Sequence, residues 1–322
     1  MSVDFTIAIP TYNGESRLPK VLERLRSQVN TEHLCWEIIV VDNNSTDETA
    51  KLIQEIQANW SSENPLRYCF EAEQGAAFAR QRAIREAKGE LIGFLDDDNL
   101  PAPDWVAQAY SFGQEHSKAG AYSGQVHGDF EVEPPENFAR IQGFLAIREY
   151  GSEPILFDPE NLRLPTAAAL VVRKKAWCES VPKRFVLRGR VGGSMLGGED
   201  YEPLLHMHRA GWEIWYNPAL HTYHQIPPWR LERDYLLSIS RGCGLATCHL
   251  RLINAQKWQK PVVIARTLLG NLRRIGVQRI KYRGQLKTDL IAACELEFFW
   301  GSLLSPFYLL KGSLQNLLII QN

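Results

Sequence analysis

The sequence predicts an α/β fold, with a mostly parallel central sheet flanked by helices and a C-terminal helical extension. Three observations carry this. Strand-like apolar runs alternate with helical faces through the first third of the chain. A cluster of polar residues follows each of those runs. The last third loses the alternation, turns basic and reads as helix. An alternating β-α-β-α pattern argues for a parallel sheet with helices on its faces.

Each element has its own signal. FTIAIP, from Phe5 to Pro10, is the first apolar run. Leu18, Val21, Leu22 and Leu25 then follow the i, i+3, i+4, i+7 spacing of one helical face. WEIIVV, from Trp36 to Val41, is the second strand. In the STDE that follows, Ser45 and Glu48 are spaced as a capping box ahead of a helical face at Leu52, Ile53 and Ile56. LRYCFEA is the third strand, and Gly75 to Lys88 reads as a helix with Gly89 as its stop. ELIGFL is the fourth strand, and Pro103 is placed to open the next helix. VEPPENF is a turn-rich connection, and LPTAAALVVRKKAW is a strand leading into a helix. GGSMLGGEDYEPLLHMHRAGWEIWYNP reads as a glycine-rich loop, a helix from about Asp200 to Arg209, a stop at Gly211 and a strand. From Pro227 onward the pattern is helical. The expected organisation is a domain over 1–228, in halves 1–125 and 126–228, followed by helices over 229–322.

At 322 residues the chain is long enough for a sizeable core, and 45% hydrophobic with 23% charged residues is ordinary for a globular protein. A net charge of -1 gives no global pointer to nucleic acid, and none is expected as a partner. Six cysteines lie scattered with no C-x-x-C pair, which argues against a zinc site and for reduced thiols in a cytoplasmic protein. MSVDFTIAIP has neither a basic start nor a cleavage site, so no signal peptide is expected. No stretch reads as the ~18 apolar residues of a spanning helix. The nearest, Phe298 to Leu310, is interrupted by Gly301 and Pro306.

In parallel sheets, ligands bind outside the carboxyl ends of the strands. Thr11, Tyr12 and Asn13 follow the first strand, Asp42 the second, Glu73 and Gly75 the third, and Asp96, Asp97 and Asp98 the fourth. All four clusters therefore fall on one sheet edge. Three adjacent carboxylates repel one another unless water or a cation screens them. Carboxylate oxygens suit Mg²⁺ or Mn²⁺, and Mg²⁺ takes only one or two protein carboxylates when phosphate oxygens and water complete its shell. Asp96-x-Asp98 thus suits a metal-bound diphosphate. The alternative is that Asp98 and Asn99 cap the next helix in solvent. A second acidic pair, Glu199 and Asp200, follows the glycine-rich GGSMLGG. Its glycines give backbone freedom to a loop over a substrate, and a carboxylate there can take a proton from an attacking hydroxyl. The alternative is a favourable partnership with a helix dipole.

IAIPTYNG, EIIVVDNNSTDET, EQGAAFARQRAI, GELIGFLDDDNLP and GGEDYEPLLHMHRAGWEIWYNP occur in that order. The series resembles that of family 2 glycosyltransferases with the GT-A fold, over roughly residues 5 to 225. Its flavour resembles bacterial polysaccharide-biosynthesis enzymes, including those for cyanobacterial hormogonium polysaccharide. The resemblance implies a nucleotide-sugar donor, a divalent metal (Mg²⁺ or Mn²⁺) and inversion at the anomeric carbon. It makes 1–125 the nucleotide-sugar-binding half and 126–228 the acceptor half. Pro10, Thr11, Tyr12 and Asn13 match the first nucleotide-binding turn, and Asp42 matches the acid beside the base or ribose. Asn43 and Asn44 stand where many members read Asp-Gly-Ser after that acid, which leaves the choice of base open. Glu73, Gly75 and Arg80 match the segment beside the nucleotide. Asp96, Asp97 and Asp98 match the D-x-D region, with Asp98 and Asp96 as metal ligands. Asp200 matches the catalytic base, with Glu199 beside it. His224, ahead of His221, matches a third metal ligand used by some GT-A enzymes; packing or solvation is the alternative.

The Q-x-x-R-W of processive members is missing, which favours one sugar per encounter. A nucleotidyltransferase would carry a G-x-G-T-R-like loop after the first strand, where this chain has TYNGES. A sugar-nucleotide-binding scaffold without turnover stays open. Arg230 and Arg241 are candidates for a diphosphate grip or for plain surface charge. Between Arg230 and Lys287 there are thirteen lysines and arginines, against only Glu232 and Asp234. Basic residues near an apolar helical surface suit an anionic membrane face, which fits a glycan or lipid-linked acceptor and a peripheral position on the inner side of a membrane. The alternative is a helical subdomain that packs Phe298, Trp300 and Tyr308 into its core.

Overall fold

The computed structural model describes the backbone of residues 3–60 and 63–320, and the side chains as far as Tyr308. Met1 and Ser2, and the side chains of Leu309 and Leu310 at the end of the apolar stretch, lie outside the described residues. The chain divides into two compact units. One runs to Asp129 and includes Ala146–Arg188 and Glu199–Ile226. The other comprises Phe130–Leu145, Gly189–Gly198 and the chain from Pro227 on.

The first unit is a sheet with helices on both sides. Its elements begin with β1 (Phe5–Thr11), α1 (Leu18–Arg26), β2 (Trp36–Asp42), α2 (Thr49–Ala58), β3 (Leu66–Phe70), α3 (Ala76–Glu86) and β4 (Leu91–Phe94). They continue with β5 (Asn99–Pro101), α4 (Trp105–Glu115), β6 (Ala119–Phe130), β7 (Ile155–Leu156), β8 (Val171–Arg173), α5 (Lys174–Ser180), α6 (Tyr201–Arg209) and β9 (Glu213–Ile226). The strand order is β3-β2-β1-β4-β8-β6-β9-β5, with β7 on β9. The first four strands in that order are parallel. From β4 onward the pairings of β8, β5 and β7 are antiparallel.

Register explains the site edge. Thr11 pairs with Asp42, and Asp42 pairs with Phe70. Thus β1, β2 and β3 end level. The predicted apolar face of α1 (Leu18, Val21, Leu22, Leu25) is buried against Phe5, Ile7 and Ile9 of β1 and Trp105 of α4.

Local punctuation differs from the sequence expectation in four places. No capping box forms at Ser45 and Glu48; Glu48 sits at the N-cap without a side-chain bond, and the Ser45 hydroxyl accepts the Asn13 N–H. Gly89 is not a left-handed helix stop. A Cβ there would lie 2.7 Å from the Thr6 nitrogen, so the glycine admits the β1 backbone. Pro103 precedes α4 by two residues, with Asp104 at the N-cap. Asp98 and Asn99 cap no helix, because Asn99 opens β5 and pairs with His224 of β9.

The second unit is built on α7 (Arg233–Asn254), α8 (Lys260–Lys281) and α9 (Leu290–Ile320). Gly301 and Pro306 do not interrupt α9. A Cβ on Gly301 would lie 2.3 Å from the Arg241 carbonyl, and one on Gly244 would lie 2.3 Å from that of Phe298. These glycines let α7 and α9 cross backbone to backbone. With α9 continuous, Leu290–Tyr308 is one helix long and apolar enough to cross a membrane among the described residues, and half of it is buried within the protein. That corrects the expectation of no such stretch. Phe298 packs on Phe144 at 5.4 Å between ring centroids, the Arg279 guanidinium lies 5.5 Å over Trp300, and Tyr308 is exposed. Arg241 pairs with Glu297 at 3.5 Å, and Arg230 lies over Trp229. The glycine-rich segment belongs to this unit. Arg190 donates to the Tyr235 hydroxyl at 3.2 Å, and Gly242 of α7 leaves room for the Met195 carbonyl, which a Cβ would meet at 1.8 Å. All six cysteines are free.

Candidate active site

The β1 turn is knitted to the β2 turn. Asn13, at φ 50°, accepts the Thr46 N–H at 2.8 Å through its side-chain oxygen. The Gly14 N–H donates to Thr49 Oγ1 at 2.9 Å. Tyr12 stays exposed beside them. Asp42 is buried. It accepts the Ser45 N–H and the Tyr68 hydroxyl, each at 2.9 Å. Burial, and then that bond to Asp42, push the Tyr68 phenol up to about 12, so it remains a donor.

Asn43 does what the sequence did not disclose. Its amide nitrogen donates to the Glu73 carbonyl at 2.8 Å, and its oxygen accepts the Gly75 N–H at 2.6 Å. Gly75 takes φ 140° as the N-cap of α3, so this side chain sets the path of 73–75. Glu73 itself is exposed. Asn43 therefore acts on backbone where the sequence pointed only to a departure from Asp-Gly-Ser.

The three aspartates stand on a turn beyond β4, and each takes a different partner. Asp97, expected beside the nucleotide, instead braces the turn. Arg17 donates to both of its oxygens, at 2.8 and 2.9 Å, and Thr11 Oγ1 donates at 2.5 Å. Burial pushes the Asp97 carboxyl up, with Arg17 pulling against it. Gly14 leaves the space for this brace, since a Cβ would lie 2.0 Å from Thr11 Oγ1. Arg17 carried no signal in the sequence.

Asp96 pairs with Arg80, Nη2 to Oδ1 at 3.2 Å. The other end of the same guanidinium stands 3.9 Å from Glu199. Burial works against the Arg80 charge, but Asp96, Glu199 and Asp200 outweigh it and hold its pKa above the ordinary value. Asp200 is the N-cap residue of α6 without capping it. Its Oδ2 accepts the Ala167 N–H at 3.1 Å instead. Burial pushes the Asp200 carboxyl up, while Arg80 and the Ala167 N–H pull it back. Glu202, one residue into α6, accepts the N–H groups of Val186 and Leu187 at 3.0 and 2.9 Å and anchors the helix start. Beside Asp200, Tyr201 donates its hydroxyl to the Leu164 carbonyl at 3.4 Å and Arg148 donates to the Ile147 carbonyl at 3.1 Å, and burial lifts the Tyr201 phenol to about 12. Neither was expected from the sequence.

Asp98 meets His224. The imidazole Nε2 lies 3.5 Å from Asp98 Oδ2, held by the β5–β9 pairing. His221 points to the opposite face of β9, where its Nδ1 meets His127 Nε2 at 2.9 Å. A carboxylate and an imidazole together suit Mn²⁺, and the carboxylate alone suits Mg²⁺. Among the described residues no group of three acidic, His or Cys side chains could hold a metal ion, so a cation here needs ligands from a diphosphate and water. Asn99, opposite His224, is wholly buried with neither amide atom partnered. A buried amide with spare hydrogen-bonding capacity beside a carboxylate and an imidazole fits the surroundings of a hydrated cation.

Pro10, Thr11, Tyr12, Asn13, Asp42, Gly75, Arg80, Asp96, Asp98, Glu199, Asp200 and His224 thus all lie in the first unit, on the carboxyl side of its parallel strands or on α6 and β9 beside it.

Residues 6–176 match the family model described as glycosyl transferase family 2. The uncharacterized glycosyltransferase YfnE of Bacillus subtilis is 31% identical over 146 residues, which cover 43% of this chain and 36% of YfnE. The putative teichuronic acid biosynthesis glycosyltransferase TuaG of the same organism is 29% identical over 37% of this chain and 45% of its own length. These matches thus span less than half of those relatives. The dolichol-phosphate mannosyltransferase of Pyrococcus furiosus is 24% identical over 65% of this chain and 64% of that protein. Among solved structures, the mannosyltransferase PcManGT from Pyrobaculum calidifontis, in complex with GDP-Man and Mn²⁺, superposes with a TM-score of 0.58 at 17% identity, over 95% of this chain and 87% of that one. S. aureus TarS 1-349 in complex with UDP-GlcNAc gives a TM-score of 0.52 at 16% identity, over 95% and 92%. The fold is the GT-A type. With the family model covering over half of its length, the chain belongs to glycosyl transferase family 2.

Proposed function

We propose that the protein is an inverting, metal-dependent glycosyltransferase that moves a sugar from a nucleotide-diphosphate donor to a hydroxyl of a glycan or lipid-linked acceptor in polysaccharide biosynthesis. The observation that carries this is the Arg80 bridge. It draws Asp96 at the end of β4 and Glu199 at the start of α6 onto one guanidinium. The donor and acceptor sides of a transfer site are thereby adjacent. The named ligands of the structural relatives, GDP-Man with Mn²⁺ and UDP-GlcNAc, support the donor class.

Pro10, Thr11, Tyr12 and Asn13 form the nucleotide-side turn, with Asp42, Glu73 and Gly75 across from it. Asp98 and His224 would hold Mg²⁺ or Mn²⁺, with Asp96 beside them. Such an ion supplies Lewis-acid neutralisation of the leaving diphosphate. Asp200 accepts the proton of the acceptor hydroxyl as its oxygen bonds to the anomeric carbon from the face opposite the diphosphate. The bond to the diphosphate oxygen breaks with its electron pair, and the centre inverts in one displacement. Burial raises the Asp200 pKa, the direction that strengthens a general base, and Arg80 pulls against that shift. Glu199 holds Arg80 in place. A lipid-linked acceptor sets this reaction at the inner face of a membrane, with the protein at its periphery.

The test is a nucleotide-sugar panel with Mn²⁺, scored for thermal shift and nucleotide release in the presence of cell-extract acceptors. Release with one or a few donors is expected. Binding without release under all conditions points instead to a donor-binding scaffold.

A further inference from the structure

Helix α8 buries polar side chains beside an apolar one. Its inward face carries Thr267, Asn271 and Gln278 together with Ile275, all buried. These polar groups are satisfied there. Thr267 donates to the Val263 carbonyl and Asn271 to that of Thr267, each at 2.8 Å. Gln278 donates to Glu295 of α9 at 2.9 Å, and Arg140 clamps the same carboxylate. The Thr267 and Asn271 bonds stay within α8, while Gln278, which donates also to the Ala292 carbonyl at 3.2 Å, ties the helix face to α9. The outward face presents Val262, Leu269, Leu272, Val277 and Ile280, with Leu269 68% and Ile280 66% exposed. Ordinary surface helices turn their apolar stripe to the core.

The charge on this face selects the partner. Arg266 and Arg273 stand among the exposed apolar side chains, with no hydrogen bond or ion pair among the described residues. No acidic residue occurs between Asp234 and Asp289. Two copies pressed face to face would set these cationic rows against each other without a counter-charge. A nucleic acid would leave the leucines unused. An anionic lipid surface uses both properties, since it accepts apolar side chains below the headgroups and pairs arginines with phosphates. Trp258, 75% exposed just before α8, has the amphipathic ring that favours the headgroup level.

We propose that the outward face of α8 is a docking surface for an anionic bilayer. This deepens the membrane part of the function above and is independent of the transfer chemistry. The test is co-flotation of the full chain with phosphatidylglycerol/phosphatidylcholine vesicles and with phosphatidylcholine vesicles, at low and high salt. The wild type is expected to float with the anionic vesicles and to be released by salt. Arg266→Gln and Arg273→Gln should each weaken partitioning roughly fivefold. Leu269→Asp combined with Ile280→Asp should abolish it. All four positions are exposed, and circular dichroism with thermal melting checks that the fold survives. Equal recovery with neutral and anionic vesicles overturns the proposal, as does wild-type flotation of the Leu269/Ile280 variant. Sedimentation that shows self-association, lost in that variant, in a protein that ignores vesicles assigns the face to a second copy and equally overturns it. Nucleotide release with a soluble acceptor, measured on the same variants, should be unchanged; its absence in the wild type would count against the transferase and leave the flotation result standing.

Discussion

The Arg80 guanidinium lies 3.2 Å from the Asp96 carboxylate. Its other edge faces Glu199 at 3.9 Å. Arg80 is nearly enclosed, with 7% of its side chain exposed. It therefore neutralises a cluster of acids that would otherwise repel one another. Arg80→Met should destabilise the fold by about 2 kcal/mol. That is short of the ~3–5 kcal/mol for breaking a fully buried pair, because Asp96 is 38% exposed and regains water. Urea unfolding at neutral pH measures it, and Arg80→Lys should lose less.

Asp200 predicts a pH dependence with a definite sign. Its folded pKa is raised, chiefly by burial. Its contribution to stability is therefore full below the ordinary carboxylate value of ~3.9 and is lost as pH rises through the higher folded value. Asp200→Asn lacks this loss. The stability of Asp200→Asn relative to wild type should thus grow as pH rises from about 4 toward neutrality. For the wild type, the acid limb of kcat/KM should lie above the ordinary carboxylate range. Arg80→Met should move that limb to higher pH, because Arg80 holds the Asp200 pKa down.

Asn43→Ala should cost about 1–3 kcal/mol, since it leaves the buried Gly75 N–H without its acceptor. It should also weaken donor binding by loosening 73–75. Thermal melting and donor titration separate the two effects. Asn43→Asp keeps the acceptor and should recover most of the stability lost in the alanine variant.

The proposed cation ligands make a paired prediction. In calorimetric titrations with a nucleotide sugar, Asp98→Ala should remove the increment in affinity due to Mn²⁺. His224→Ala should reduce it by about tenfold or more. Asp97→Asn should act through stability instead, because both Asp97 oxygens are taken by Arg17 and Thr11.

The parallel half of the fold was legible because each strand is a nearly continuous apolar run and each helix shows one apolar face, as in Leu18, Val21, Leu22 and Leu25. The carboxyl-edge residues followed from that order alone. What pairs with what was not legible. Arg17 and Asp97 are separated by 80 residues, and Asp98 meets His224 only through the register of two antiparallel strands. Asn43 works through backbone groups, which leave no mark on composition. Gly89 and Gly301 look like breakers in the sequence, yet both serve close backbone approach. The sequence pointed to basic residues near an apolar helical surface, but not to which face of α8 is outward; that face shows in the exposure of Leu269 and Ile280 against buried Thr267, Asn271, Ile275 and Gln278.

The most direct measurement is nucleotide release by Asp200→Asn, set beside its Mn²⁺-dependent donor binding. Release should fall by ~10²–10⁴-fold while binding stays close to wild type. Release at the wild-type rate, or a parallel loss of donor binding, would contradict the assignment of Asp200 as the base that faces the acceptor.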